Sequence, residues 1–484
     1  MLNPVDRLWP ERSIVFAGDA APEDTRHAAG GHHGPAGVHG AVTRSGATPE
    51  PAARHNETLS MAVTGRDTTR SPYFDYRKQI LHAESMSLDT LARRFGTPLH
   101  VYSKRAVIES WQRFAQPLAG TNHRICYAVK ANGNLAILQL LAGLGAGFDI
   151  VSVGELERVL RAGGRPEKIV FSGVGKREDE LQRALATGIG CFNVESEAEL
   201  LRLSALASNE GKTAAIALRI NPHVDTQTHP HIATGHRDAK FGIDIPRAEA
   251  LYRRAAGLPG IRVTGIACHI GSQITEAAPF LEAARYAMEL VDRLRDAGIV
   301  LKHVDFGGGF GVVYRDELRL DISQLIAQLR ALTESRGLIM LLEPGRAIVA
   351  EAGVLLTRVE YLKTTDQGRF VIVDAGMTEL IRPPLYDAWH EIRPVTLHPG
   401  IQAELCDVVG PVCESADFLG HGRMLAVEPG DLLAIMDTGA YGASMSSNYN
   451  ARPRAAEVLV DGGRATLIRS RETLDNLMAQ ETLL

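Results

Sequence analysis

The sequence predicts an α/β protein in which a (β/α)8 barrel is followed by a β domain. Three observations carry that reading. Short apolar runs alternate with amphipathic helical patterns, as in a parallel sheet with crossover helices. Eight such units fall within about 220 residues, the number and span that close a barrel. After Arg346 the alternation stops, and β-type runs punctuated by Gly, Pro and Asp take over.

In chain order, residues 1–72 stand apart. Ala28–Gly40 is rich in Gly, Ala and His, and the surrounding stretch has few periodic apolar positions. It cannot bury enough apolar surface to offset chain entropy, so a disordered, low-complexity extension is expected. His32 and His33 lack a helix or strand to orient them as ligands, so no metal site is expected there. Residues 1–30 lack a signal-peptide apolar core, and Asp6, Glu11, Asp19, Glu23 and Asp24 are too many acids for a transit peptide. Met61 is a candidate alternative start.

Residues 73–105 hold a helical stretch, Leu88–Phe95, and a strand, Leu99–Tyr102, expected to join the β domain because the barrel begins later. The barrel spans 106–347. Its strands are Ile125–Val129, Phe148–Val151, Ile169–Phe171, Ile189–Val194, Ala215–Ile220, Val263–Cys268, Leu301–Phe306 and Ile339–Leu342. Helices such as Glu155–Ala162, Glu195–Ala207, Pro279–Ala297 and Ile322–Arg336 lie between them. Residues 348–484 form the second domain, an antiparallel barrel or sandwich. Its strands are Val349–Tyr361, Arg369–Val373, Val408–Pro411, Leu432–Ile435 and Glu457–Val460.

Composition excludes several functions. Lys+Arg 52 against Asp+Glu 57 gives −5 over 484 residues, which argues against a polybasic nucleic-acid or membrane-surface protein. No apolar run reaches the roughly 18 residues of a membrane span. The five cysteines are scattered, odd in number and without CxxC spacing, unlike a disulfide framework or zinc cage. A cytoplasmic enzyme is expected.

Reactive groups of such a barrel stand at the C-terminal ends of its strands. Strand one runs into Lys130, a candidate for imine chemistry if partial desolvation favours the neutral amine. A lysine snorkelling from the rim is the equal alternative. Strand six runs into His269, strand seven into Gly307-Gly308-Gly309, and strand eight into Glu343-Pro344-Gly345-Arg346. A tight turn explains the glycines alone about as well as an anion cradle, and His269 alone reads as a core histidine. Together the four are more specific. Pyridoxal 5'-phosphate needs a lysine, a phosphate cradle, a ring-stacking group and an ionic partner for its pyridine nitrogen. Glu343 suits the last role and His269 the stacking.

YAVKAN (127–132), HIGSQ (269–273), FGGGFG (306–311) and EPGR (343–346) resemble, in this order, the fold-type III pyridoxal-phosphate decarboxylases. That resemblance implies an alanine-racemase-type barrel with a C-terminal β domain. LIRPPLY (380–386), GPVCESAD (410–417) and GAYG (439–442) narrow it to the diaminopimelate decarboxylase family, from Tyr73 to the C-terminus. Pro384 departs from the alanine more usual there. The resemblance implies a carboxy-lyase that converts meso-2,6-diaminopimelate to L-lysine and CO2, the last step of lysine biosynthesis. It implies that Lys130 carries the cofactor, that Glu343 supports its ring nitrogen, and that Cys413 is the general acid, delivered from the partner subunit of a homodimer. A buried small hydrophobe is the plain alternative for Cys413. Arg346 and Arg382 suit carboxylate recognition, with Tyr386, Glu414 and Tyr441 completing the substrate set. Ser272 and the amides of Gly308, Gly309, Gly345 and Arg346 form the phosphate set, and Asp149 supports Lys130. An ornithine- or arginine-type decarboxylase would need acids at the distal substrate end, against LIRPPLY. Alanine racemase does not match GPVCESAD. A non-catalytic pyridoxal-phosphate carrier would be a lone barrel.

Overall fold

The computed structural model describes residues 72–224, 240–366 and 368–484. The expected disordered extension, with His32, His33 and Met61, lies outside the described residues apart from Ser71's neighbour Pro72. Among the described residues, eight parallel strands close into a barrel. They are β1 (His123–Ala128), β2 (Gly147–Ile150), β3 (Ile169–Phe171), β4 (Cys191–Val194), β5 (Ala214–Asn221), β6 (Ile261–Cys268), β7 (His303–Asp305) and β8 (Ile339–Leu342). Each pairs with its successor, and Met340 opposite His123 closes the ring. Every strand overlaps its sequence expectation.

Inward positions carry small or slender residues (Cys126, Val170, Cys191, Ala217, Ala267, Leu341), which share one buried cluster. Bulkier outward residues such as Tyr127, Phe148, Phe171 and Phe192 pack in the larger core with the helices. The chain turns sharply from strand to helix because a polar cap waits there. Ser152 accepts the Glu155 N–H and Ser196 accepts the Glu199 N–H, satisfying amides that the helix cannot. Consequently the expected helix at Glu195 starts at Glu197, with Ser196 as its cap. Lys104–Leu118 packs beside Ile322–Glu334 on the outside of the barrel.

The second domain departs further from expectation. The run expected as a strand from Val349 begins instead as a short helix, Arg346–Val349, and a 3-10 turn, Ala350–Ala352. The strand proper is Gly353–Thr365, and its first residue sits where a Cβ would meet Gly439 Cα at 2.5 Å, a position that glycine fits. Leu99–Ser103 pairs antiparallel with that strand and parallel with Ala456–Asp461. Gly368–Val373 and Glu404–Val409 are also parallel, so two parallel joins interrupt a mainly antiparallel sheet. The strand expected at Val408–Pro411 runs instead over Glu404–Val409, with Gly410 and Pro411 beyond its end. Phe418–Leu425 and Arg464–Arg469 are further strands. A three-stranded meander, Phe74–Arg77, Ile80–Ala83 and Met86–Ser87, precedes the rest.

Candidate active site

β1 ends at Ala128, one residue earlier than expected, and the 3-10 turn Val129–Ala131 lifts Lys130 onto the mouth of the barrel. The Lys130 Nζ donates to Asp149 Oδ2 of β2 at 2.7 Å. Burial pulls the ammonium towards neutrality, but the acidic groups facing it, Asp149 foremost, outweigh it and raise the Lys130 pKa. Desolvation acts in the direction expected from sequence but is outweighed. An ion pair across neighbouring strands keeps this lysine charged.

Beneath Lys130 the strands bring buried acids together. Asp149, Asp305 and Glu343 are 0%, 1% and 5% exposed. Burial first, then the charges of Asp149 and Asp305, pushes the Glu343 carboxyl well above its ordinary range. Asp305 is raised as well, chiefly by burial. The hydrogen bond between the two carboxyls favours the protonated form of Glu343 and the ionised form of Asp305. Asp305 also accepts from the Gly307 N–H at 2.9 Å and from Asn193 Nδ2 at 3.3 Å.

His269 follows β6. The Gly308 N–H donates to its Nδ1 at 3.0 Å, so the ring proton sits on Nε2. Burial, Arg219 and Lys130 hold the imidazole neutral, its pKa well below the usual value. The Gly308 amide, expected to face an anion, donates here to His269. Gly309 fits the cradle better. Its φ is +96°, and a Cβ would lie 2.4 Å from Gly271 O. Ser272 Oγ accepts from Arg346 Nη2 at 3.0 Å, which leaves its own O–H to donate.

Arg346 Nη1 donates to the Tyr314 hydroxyl at 2.9 Å, and its guanidinium carbon lies 4.7 Å from the centre of the Tyr441 ring. Arg382, from the helix Arg382–Tyr386, lies over the Tyr314 ring at 4.6 Å. Tyr441 has a φ of +57° and donates its N–H to Ala131 O at 2.9 Å, which ties the second domain to the turn carrying Lys130.

Ten expected residues line one cavity of about 180 Å³: Lys130, His269, Ser272, Gly309, Glu343, Gly345, Arg346, Arg382, Tyr386 and Tyr441. A wider cavity of about 600 Å³ shares Lys130, Tyr386 and Tyr441 and reaches Glu155 and Arg158. Cys413 and Glu414 line neither. Cys413 is exposed, so the buried-hydrophobe reading fails, and its N–H donates to Asn450 Oδ1 at 3.0 Å. Glu414 accepts from the Tyr449 hydroxyl. Sequence reasoning missed Asp305, Asn193, Tyr314 and His390. Only Asp305, at the end of a strand before the glycines, carried a readable signal.

Residues 104–350 match the family described as pyridoxal-dependent decarboxylase, pyridoxal binding domain. Diaminopimelate decarboxylase of Vibrio cholerae serotype O1 is 54% identical over 414 residues, 85% of this chain and 99% of that protein. The crystal structure of diaminopimelate decarboxylase from Helicobacter pylori complexed with L-lysine matches at 40% identity and a TM-score of 0.79, covering 81% of this chain and 98% of that one. The M. jannaschii enzyme in co-complex with L-lysine matches at 37% identity and a TM-score of 0.81, covering 85% and 98%. With its barrel matched to that pyridoxal-binding family and some 85% of its length shared with such relatives, the chain belongs to the diaminopimelate decarboxylase family.

Proposed function

We propose that this protein removes the carboxylate from the D centre of meso-2,6-diaminopimelate, giving L-lysine and CO2. One observation carries the reading beyond family membership: two buried guanidinium groups, Arg346 and Arg382, share a small cavity with Lys130. A basic amino acid offers no distal anion for them. Diaminopimelate offers one.

The cofactor is pyridoxal phosphate, and the residues present fit it. Gly309 and Gly345 leave backbone approach that a Cβ would close; at Gly345 it would meet Ala128 Cβ at 3.0 Å. The buried Arg346 Nε and Asp149 Oδ1 have no partner among the described residues. When bound, the cofactor supplies an electron sink for the pair released as the Cα–carboxylate bond breaks. Lys130 would hold it covalently, Glu343 would share a proton with its ring nitrogen, and Ser272 and Gly309 would hold its phosphate. His269, kept neutral, offers a ring face without adding a charge. Arg346 and Arg382 bind the distal carboxylate, and Tyr386 adds a hydroxyl.

The general acid is Cys413, brought with Glu414 by a second copy of the chain. Their exposure and their absence from the lining of their own chain's cavities support a shared site in a homodimer. We place the reaction in the cytoplasm, a reading supported by five unpaired cysteines. Among the described residues no helix is long and apolar enough to cross a membrane. The test is incubation of the cofactor-loaded protein with meso-diaminopimelate, L-lysine or ornithine. Lysine and CO2 should appear from the first alone. CO2 from ornithine at a comparable rate would overturn the assignment.

A further inference from the structure

Behind Arg382 lies a residue that touches neither Lys130 nor the cavity. His390 is fully buried, at 0% exposure. Arg382 Nη1 donates to its Nε2 at 2.7 Å, and its Nδ1 lies 2.8 Å from Met436 O, at the end of the strand Leu432–Ile435. A carbonyl only accepts, so Nδ1 carries the proton and Nε2 is left as the acceptor that a guanidinium requires. Burial, then the positive charge of Arg382, holds this imidazole neutral, well below its usual pKa. The Tyr314 ring, from the loop after β7, meets His390 edge-on at 5.2 Å and lies under the Arg382 guanidinium at 4.6 Å.

A guanidinium binds a carboxylate best through two parallel N–H donors on one edge. With Nη1 held by His390 and one face covered by Tyr314, the Nε–Nη2 edge of Arg382 remains. Its Nε is buried and has no partner among the described residues. We infer that His390 is a positioning residue which turns that edge of Arg382 towards the distal carboxylate of the substrate, with the Tyr314 ring as the platform that sets its plane. It acts on specificity through Arg382 and makes no contact with the reacting centre. The inference rests on the proposed function and deepens it.

L-Lysine keeps the distal carboxylate and cadaverine lacks it, so the pair isolates this contact. Their dissociation constants are measured by calorimetry on the cofactor-loaded enzyme, alongside KM and kcat for meso-diaminopimelate. His390→Phe keeps a ring of similar size but removes the acceptor. It should weaken L-lysine and raise KM by about 10- to 100-fold, the worth of a hydrogen bond to a charged group, while cadaverine affinity and kcat stay within about threefold. His390→Gln retains an acceptor and should restore most of the preference. Equal weakening of both ligands, or a glutamine variant as impaired as the phenylalanine one, overturns the inference. If the phenylalanine variant does not fold, the glutamine variant decides alone: a retained lysine-to-cadaverine preference supports the role and a collapsed one overturns it. Wild type is assayed first, and failure to release lysine from meso-diaminopimelate overturns the functional reading itself.

Discussion

Replacing Glu343 with glutamine separates what this buried carboxyl costs the fold from what it gives the reaction. Its pKa is raised by burial and by Asp149 and Asp305. Below the unfolded-chain value of about 4.3 both states are protonated, and the shift has no effect on stability. Above that pH the unfolded chain releases a proton that the folded chain keeps. Stability then falls by up to about 1.4 kcal/mol per pH unit, until the folded carboxyl ionises. Glutamine has no such proton. The cofactor-free variant should therefore match wild type near about pH 4.5 and exceed it by a margin that grows with pH, at most about 1.4 kcal/mol per unit.

The assay is thermal unfolding of both cofactor-free proteins from pH 5 to 8, followed by turnover after loading. The gap in Tm should widen with pH. Turnover should fall on the order of 100-fold, because an amide cannot share a proton with the ring nitrogen. Parallel Tm curves would mean that folding does not raise the Glu343 pKa. A variant less stable than wild type at pH 8 would mean that Lys130 holds Glu343 ionised, contrary to the electrostatic argument.

Gly309→Ala places a Cβ 2.4 Å from Gly271 O at a φ of +96°, and should cost roughly 1–3 kcal/mol of stability and weaken cofactor binding in equilibrium dialysis; undiminished affinity would remove this loop from the phosphate site. Lys176 pairs with Glu199 at 2.7 Å with side chains 1% and 7% exposed, so Lys176→Met strands a buried carboxylate and should lose roughly 3–5 kcal/mol in denaturant unfolding. A loss below about 1 kcal/mol would mean that Glu199 escapes to solvent. Lys130→Ala should abolish visible cofactor absorbance, and Cys413→Ala should keep it while losing turnover. Mixing the two inactive proteins should restore part of the activity, and no recovery would place the whole site in one chain.

The barrel was legible because each strand is a short apolar run and each intervening helix has its own period. Lys130 stood out as a lysine directly after such a run. Its charge state was not legible: burial alone points towards the neutral amine, and although Asp149 was expected to support Lys130, that it opposes the amine as an ion-pair partner follows only from the register of β1 against β2. The same holds for Asp305 and Asn193, which meet Glu343 from other strands. The meander before Leu88 has strands of two to four residues, too short for alternation to register. Tyr314 and His390 lie in irregular segments, where no periodicity marks a side chain as inward-facing. Gly308 was read as an anion donor on local pattern, but tertiary contact gave its amide to His269.

A net charge of −5 over 484 residues conceals the local field at the site. Asp149, Asp305 and Glu343 gather below Lys130, while Arg346 and Arg382 stand at the mouth, each against a tyrosine ring. Two guanidinium groups sharing Tyr314 would repel one another. The ring faces offset part of that cost, and a carboxylate bound beside both offsets more. The acids make the opposite end unfavourable for any anion that Lys130 and the cofactor do not hold. A substrate with carboxylates at both ends is therefore oriented by the field: one end is held as an anion at the arginines, and the other faces the acids, where CO2 would leave as a neutral molecule while the electron pair of the broken bond stays with the substrate carbon, to be taken up by the cofactor and then by a proton. The first domain supplies the acids and the second supplies Arg382, so this polarity exists only when the two are joined.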